Sequence, residues 1–137
     1  MILVSACLAG FKCRYNGKSK PNQKVIRLIK QGRAIPICPE QLGGLTTPRT
    51  PAELSNRKVI TKTGKDVTKQ FNKGAKLTLE LARLFNVNKA ILARNSPSCG
   101  VGKTYDGAFT GTLVNKDGIT AALLRKNKIK IISDEEI

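Results

Sequence analysis

A chain of 137 residues that is 40% hydrophobic can bury one core, so disulfides are not needed to compensate for small size. The formal net charge of +16, from 25 Lys and Arg against nine Asp and Glu, favours phosphate-bearing partners, nucleotides or RNA. No apolar run approaches the ~20 residues of a bilayer span, and Met1 to Ala9, broken by Ser5 and Cys7 with no basic stretch before it, does not read as a signal peptide. The expectation is a cytoplasmic protein with reduced cysteines and no membrane partner. The basic residues are dispersed, and four Phe, two Tyr and no Trp are too few for an obvious base-stacking platform. A solvated lysine-rich surface therefore explains the charge as well as a phosphate partner does.

In chain order, Ile2 to Ser5 reads as a buried strand. Gln23 to Gln31 carries Val25, Ile26, Leu28 and Ile29 at helical spacing, and Gly32 can end that helix. Ala34 to Ile37 is a second strand, leading into Cys38. Residues 39–57, with Pro39, Gly43, Gly44, Pro48 and Pro51, read as loop. Val59 to Lys65 suggests a strand or hairpin turn. Asp66 is the expected N-cap of the longest helix, Val67 to Phe85, with Leu77, Leu81, Leu84 and Phe85 as its core stripe. Gly74 is either a weak spot there or a close helix contact. Lys89 to Ala93 is the third main strand. Ala108 to Val114 alternates like a further strand, Asp117 caps a short helix through Leu124, and Ile129 to Ile132 is the last strand. The alternation implies α/β class: a single Rossmann-like domain over residues 1–137, its mostly parallel sheet flanked by helices.

The four cysteines are the most informative residues. Cys7, Cys38 and Cys99 follow short apolar runs, and open α/β sheets place their sites outside the carboxyl ends of strands. Cys13 follows Cys7 closely. Successive cysteines are separated by five, 24 and 60 residues, without the paired knuckles of structural zinc sites. Histidine is absent, which removes mixed Cys/His zinc sites and His-dependent acid–base schemes. Iron–sulfur ligation tolerates dispersed thiolates and stays open; so does the reading of free cysteines as small buried hydrophobes. Glu40, two residues after Cys38, is a candidate general base or the partner of an arginine such as Arg49. Gly102-Lys103-Thr104 ends like a phosphate-binding loop, but Pro97 occupies the place of its first glycine, so an NTPase is rejected. The amides near Gly100 and Gly102, with Lys103, remain a candidate cradle for one phosphate.

Taken together, Val4-Ser5-Ala6-Cys7-Leu8-Ala9-Gly10, Arg14-Tyr15-Asn16-Gly17, Cys38-Pro39-Glu40 with Gly43-Gly44 and Pro48-Arg49, Ser96-Pro97-Ser98-Cys99-Gly100, Tyr105-Asp106-Gly107 through Leu113, and Gly118 to Leu124 resemble the thiouracil desulfidase family over nearly the whole chain. The resemblance implies a [4Fe–4S] cluster held by Cys7, Cys38 and Cys99, with one iron not ligated by protein. It leaves Cys13 outside the ligand set, where relatives often carry a non-ligating residue. It also implies Glu40 and Ser96 as catalytic groups and a thiolated pyrimidine substrate, 2-thiouracil or 4-thiouridine monophosphate. Some relatives carry a further RNA-binding domain and act on thiolated tRNA; no such domain is expected within these residues. The expected chemistry is removal of sulfur as hydrosulfide without net redox change. Sulfur transfer to tRNA, and a basic RNA-binding module with a structural metal centre, are the competing readings.

Overall fold

The computed structural model describes residues 1–137. Four short strands build the central sheet: β1 (Ile2–Ser5), β2 (Ala34–Ile37), β5 (Lys89–Leu92) and β8 (Lys130–Ser133). Their spatial order is β2-β1-β5-β8, and every pairing is parallel. Between β2 and β5 the chain forms α2 (Pro39–Leu42), the hairpin strands β3 (Ala52–Ser55) and β4 (Lys58–Thr61), and the long helix α3 (Thr68–Leu84). A two-stranded ribbon of β6 (Thr104–Tyr105) and β7 (Leu113–Val114) precedes helix α4 (Ile119–Lys126). Helix α1 (Gln23–Lys30) joins β1 to β2. No helix is long and apolar enough to cross a membrane.

Alternation along the strands divides the core between the two sheet faces. Leu3, Ala90, Leu92 and Ile131 join Leu79 and Ala82 of α3 and Ala121 and Leu124 of α4 in one buried cluster. Val4 and Ile91 face the other way and pack with Leu8, Val25 of α1 and Ala34. The side chain of Asn22 caps α1 by accepting hydrogen bonds from the backbone N–H groups of Lys24 and Val25, at 3.0 and 3.3 Å. This parallel sheet, covered by helices on both faces, is the expected architecture.

Five local expectations are corrected. Asp66 is not the N-cap of α3, where Val67 stands; its carboxylate accepts from Thr68 N at 2.9 Å, one residue further on. The stretch Ala108 to Val114 is mostly loop: Gly107, Phe109 and Gly111 take positive φ, which ends the alternation and leaves only Leu113–Val114 paired. Residues 39–57 are not all loop, since they contain α2 and β3. The buried stripe of α3 runs through Phe71, Gly74, Ala75, Thr78, Leu79 and Ala82; of the expected stripe, Leu81 packs against the core, whereas Leu84 and Phe85, at the helix's carboxyl end, are 75% and 47% exposed. Asp117 is not the cap of α4, where Gly118 stands. Its carboxylate instead accepts from Gly102 N at 2.7 Å and from Arg125 at 2.8 Å.

Gly74 is the close contact. A Cβ there would lie 1.9 Å from the Pro39 carbonyl oxygen, and one on Gly43 would lie 2.0 Å from the Gln70 carbonyl oxygen. Helices α2 and α3 therefore meet backbone against backbone. In an ordinary helix interior, Gly→Ala stabilises by about 1 kcal/mol. Here the sign reverses: Gly74→Ala is expected to destabilise by about 2 kcal/mol or more through overpacking, while Lys76→Ala on the exposed face of α3 changes little. Urea unfolding of the two variants checks this, and a neutral or stabilising Gly74→Ala contradicts the contact.

Candidate functional site

The carboxyl ends of β1, β2 and β5 open onto one cavity of about 820 Å³. It lies where the strand order reverses, the place at which open parallel sheets bind ligands. The turn Ala6–Ala9 carries Cys7 directly off β1, and Gly10 at φ 98° closes that turn. The Cys7 carbonyl accepts from Lys20 N at 2.9 Å, which draws the 10–20 loop back over the turn. Cys38 ends β2 and leads into α2. Cys99 is delivered by the loop after β5. There Ser96 Oγ accepts from the N–H groups of Ser98 and Cys99, at 3.1 and 3.0 Å, and Gly118 packs so tightly that a Cβ would be 2.5 Å from the Ser98 carbonyl.

All four cysteines are free and line the cavity. Cys38 Sγ lies 3.9 Å from the Cys13 carbonyl oxygen, which also accepts from Arg49 Nη2 at 3.0 Å. Burial raises the Cys99 thiol to about 12, opposed by a hydrogen bond from Ser5 and reinforced by the nearby charges of Glu40 and Cys38. For Cys13, the hydrogen bond from Cys38 lowers the value. The bond to Cys7, burial and the Cys7 charge outweigh it and raise the thiol to about 11. Cys38 is also pushed up, first by its hydrogen bond to Cys13 and then by burial.

Glu40 and Ser96 line the same cavity. Glu40 Oε2 is paired with Arg49, whose guanidinium also bonds Thr47 Oγ1 at 3.0 Å. The pair is largely buried, at 10% and 14% exposure. Glu40 Oε1 accepts no hydrogen bond. Both lone pairs of Ser96 Oγ are engaged by the Cys99 loop, so its hydroxyl proton is the part left to offer.

Gly102 and Lys103 are placed elsewhere. Neither lines the cavity, the Gly102 N–H is taken by Asp117, and Lys103 is exposed. The cavity draws its cations from other segments. Arg49 and Arg94 are neutralised by Glu40 and by Asp134, whereas Arg14, Lys20, Lys62 and Lys65 line it with no ion pair. Sequence reasoning also missed Ser5, buried between strands. Its Oγ accepts from Ala93 N at 2.9 Å, and it lines the cavity with Cys99. Its signal was its place two residues before Cys7 in a strand end otherwise apolar.

The donor set is soft. No three Cys, Asp or Glu side chains close on a point where a single metal ion could sit. Four thiols around a wide cavity fit instead a polynuclear iron–sulfur centre, whose ligands are spread over its corners.

Arg49→Met leaves Glu40 buried without its cation and is expected to cost about 2 kcal/mol or more. The double variant Glu40→Gln/Arg49→Met should recover part of that loss. Denaturant unfolding of the single and double variants measures the coupling; additive losses contradict a buried pair.

A family model described as 2-thiouracil desulfurase matches residues 2–136. The uncharacterized protein YbbK of Bacillus subtilis (strain 168) is 42% identical over an alignment covering 100% of this chain and 97% of that protein. Among solved structures, the [4Fe–4S]-dependent thiouracil desulfidase TudS superposes with a TM-score of 0.96 at 43% identity, over 99% of this chain and 91% of that one.

Proposed function

This chain belongs to the 2-thiouracil desulfurase family, and from that premise we propose that it is a [4Fe–4S]-dependent desulfidase of a thiolated pyrimidine, acting on the nucleotide 4-thiouridine monophosphate in preference to the free base. The observation that carries the reading is the meeting of Cys7, Cys38, Cys99, Glu40 and Ser96 on one cavity. Water and a thiocarbonyl give a carbonyl and hydrogen sulfide, so no electron donor or acceptor is needed.

Cys7 and Cys38 follow β1 and β2 closely and Cys99 comes from the loop after β5; these three would hold the cluster, leaving one iron without a protein ligand. When bound, the cluster supplies a Lewis acid suited to the soft thiocarbonyl sulfur. Cys13 shares its loop with Cys7 and stands outside the set. Glu40, held through Oε2 by Arg49, presents Oε1 to take a proton from the water that attacks the ring carbon. Ser96, with its lone pairs occupied, donates its hydroxyl proton to a ring heteroatom and steadies the charge that develops there.

The preference for a nucleotide rests on the four cations without ion pairs. A phosphate held by Arg14, Lys20, Lys62 or Lys65 would position the ring, and such remote binding energy raises turnover as well as affinity.

Anaerobic reconstitution followed by assays on 2-thiouracil, 4-thiouridine monophosphate and thiolated tRNA tests the reading. The expected order of kcat/KM puts the monophosphate first. Turnover of thiolated tRNA alone would favour an RNA substrate. A protein that takes up iron and sulfide yet desulfurates none of the three would exclude the activity.

Replacing Cys7, Cys38 or Cys99 by Ala should abolish the absorbance near ~400 nm of a bound iron–sulfur centre, whereas Cys13→Ala retains it. Loss of that band in Cys13→Ala as complete as in the others would contradict three-thiol ligation.

Glu40→Gln should keep the band and lower turnover ~10²–10⁴-fold, with Ser96→Ala behaving similarly but less severely. Wild-type rates in a loaded Glu40→Gln protein would leave Glu40 only its structural pairing with Arg49.

A further inference from the structure

Glu53, on β3, is the second carboxylate of the cavity wall, and the chemistry above gives it no role. Its environment is unusual for an acid in a chain of net charge +16. It forms no ion pair, although Lys62 and Lys65 of the same hairpin region line the same cavity. Backbone holds it instead. Oε1 accepts from Gly107 N and Phe109 N, both at 3.0 Å. The loop carrying these amides lies directly on β3: a Cβ on Gly107 would be 2.8 Å from the Leu54 carbonyl oxygen. Phe109, at φ 57°, also lines the cavity. Glu53 is thus fixed in direction through one oxygen, while Oε2 accepts no hydrogen bond.

An acceptor of this kind demands donors from its ligand. It repels a phosphate, and a thiocarbonyl has no proton to give it. The cavity of about 820 Å³ extends well beyond a pyrimidine ring, and Glu53 belongs to its hairpin wall, not to the strand ends that carry Cys7 and Cys38. We propose that Glu53 is a specificity-determining residue that reads the sugar of the substrate, its free carboxylate oxygen accepting hydrogen bonds from ribose hydroxyls. An acid serves the ribose in the same way in dinucleotide-binding folds. The ladder supports the arrangement. Glu53 pairs with Ile60, and Lys62 N donates to the Pro51 carbonyl at 2.9 Å, so Lys62 follows on the adjoining strand where a 5′-phosphate would continue from the sugar.

This inference rests on the reading of the substrate as a thiolated pyrimidine nucleotide, but its test does not require turnover. Isothermal titration of the cluster-loaded protein with uridine monophosphate and with its 2′-deoxy and 3′-deoxy analogues measures the sugar contribution directly. The wild type is expected to bind at least one deoxy analogue about tenfold more weakly, the scale of a hydrogen bond to a charged group. Glu53→Gln keeps a carbonyl oxygen for the two loop amides and should bring the three ligands close to parity. Uracil, which lacks the sugar, should bind both proteins alike.

Equal affinity of the wild type for all three nucleotides overturns the proposal. So does a Glu53→Gln variant that weakens uracil as much as uridine monophosphate, since Glu53 would then read the ring or merely hold the loop. Failure of the desulfidase reading appears separately, as absence of sulfide release by a wild-type protein that still distinguishes the ribose from its deoxy analogues.

Discussion

The site depends on one contact, the backbone of α2 lying against the backbone of α3. Cys38 and Glu40 flank and begin a helix of only four residues, too short to hold its own geometry. What holds it is the mutual approach of Gly43 and Gly74, where any side chain would strike the facing carbonyl. Helix α3 is in turn fixed to the sheet by Leu79 and Ala82. A rigid path therefore runs from the core through α3 to the thiol of Cys38 and the carboxylate of Glu40. Side chains on a short helix keep sub-ångström placement only when such a support exists.

Electrostatics divides the cavity's cations into two kinds. Arg49 and Arg94 are structural. Arg49 locks Glu40 and the Cys13 carbonyl, while Arg94 receives the carboxylate of Asp134 at 3.0 Å, with Glu135 at 3.5 Å. The acidic tail thus has a definite task. Asp134 also accepts from Arg94 N at 2.8 Å and is buried, tying the end of the chain to the loop that follows β5. Arg14, Lys20, Lys62 and Lys65 line the cavity without an ion pair. Their side chains are flexible, so they supply attraction more than fixed geometry. Fixed geometry comes from groups anchored by backbone, such as Ser96 and Glu53.

The sheet was legible because its strands alternate with helical segments and are almost wholly apolar, the pattern of a doubly covered parallel sheet. The convergence of Cys7, Cys38 and Cys99 was legible as well, because parallel strands in one sheet bring their carboxyl ends to one edge. Features set by tertiary approach were not. On α3, Leu84 and Phe85 continue the helical spacing but lie past the last core contact, and the small residues Ala75, Thr78 and Ala82 join Phe71 and Leu79 in the stripe because the neighbouring helices come close. Asp117 precedes a helix and looks like a cap, but Arg125 and Gly102 N claim its oxygens. That same bond removes Gly102 from phosphate binding. Glu53 gave no signal at all, since its partners lie 54 and 56 residues away in a loop with positive φ.

The thiols are positioned by the fold's own hydrogen bonds and packing. Ser5 Oγ joins the end of β1 to Ala93, Ser96 Oγ holds the Cys99 amide, and the Cys7 carbonyl is held by Lys20 N. Cys99 belongs to the same apolar cluster as Leu3 and Leu124, and Cys7 and Cys13 to that of Val4 and Val25. In small metal-folded domains the ligands must be drawn together by the metal, so the metal is fully enclosed and its binding energy is spent on folding. Here the cysteines are also packed into apolar clusters that join the sheet to its helices, so packing contributes to their placement beside any centre they hold. Under the proposed function, a centre bound there would not need protein at every corner, which would leave one face of the cavity, with Glu40, Ser96 and the cations Arg14, Lys20, Lys62 and Lys65 around it, for the substrate.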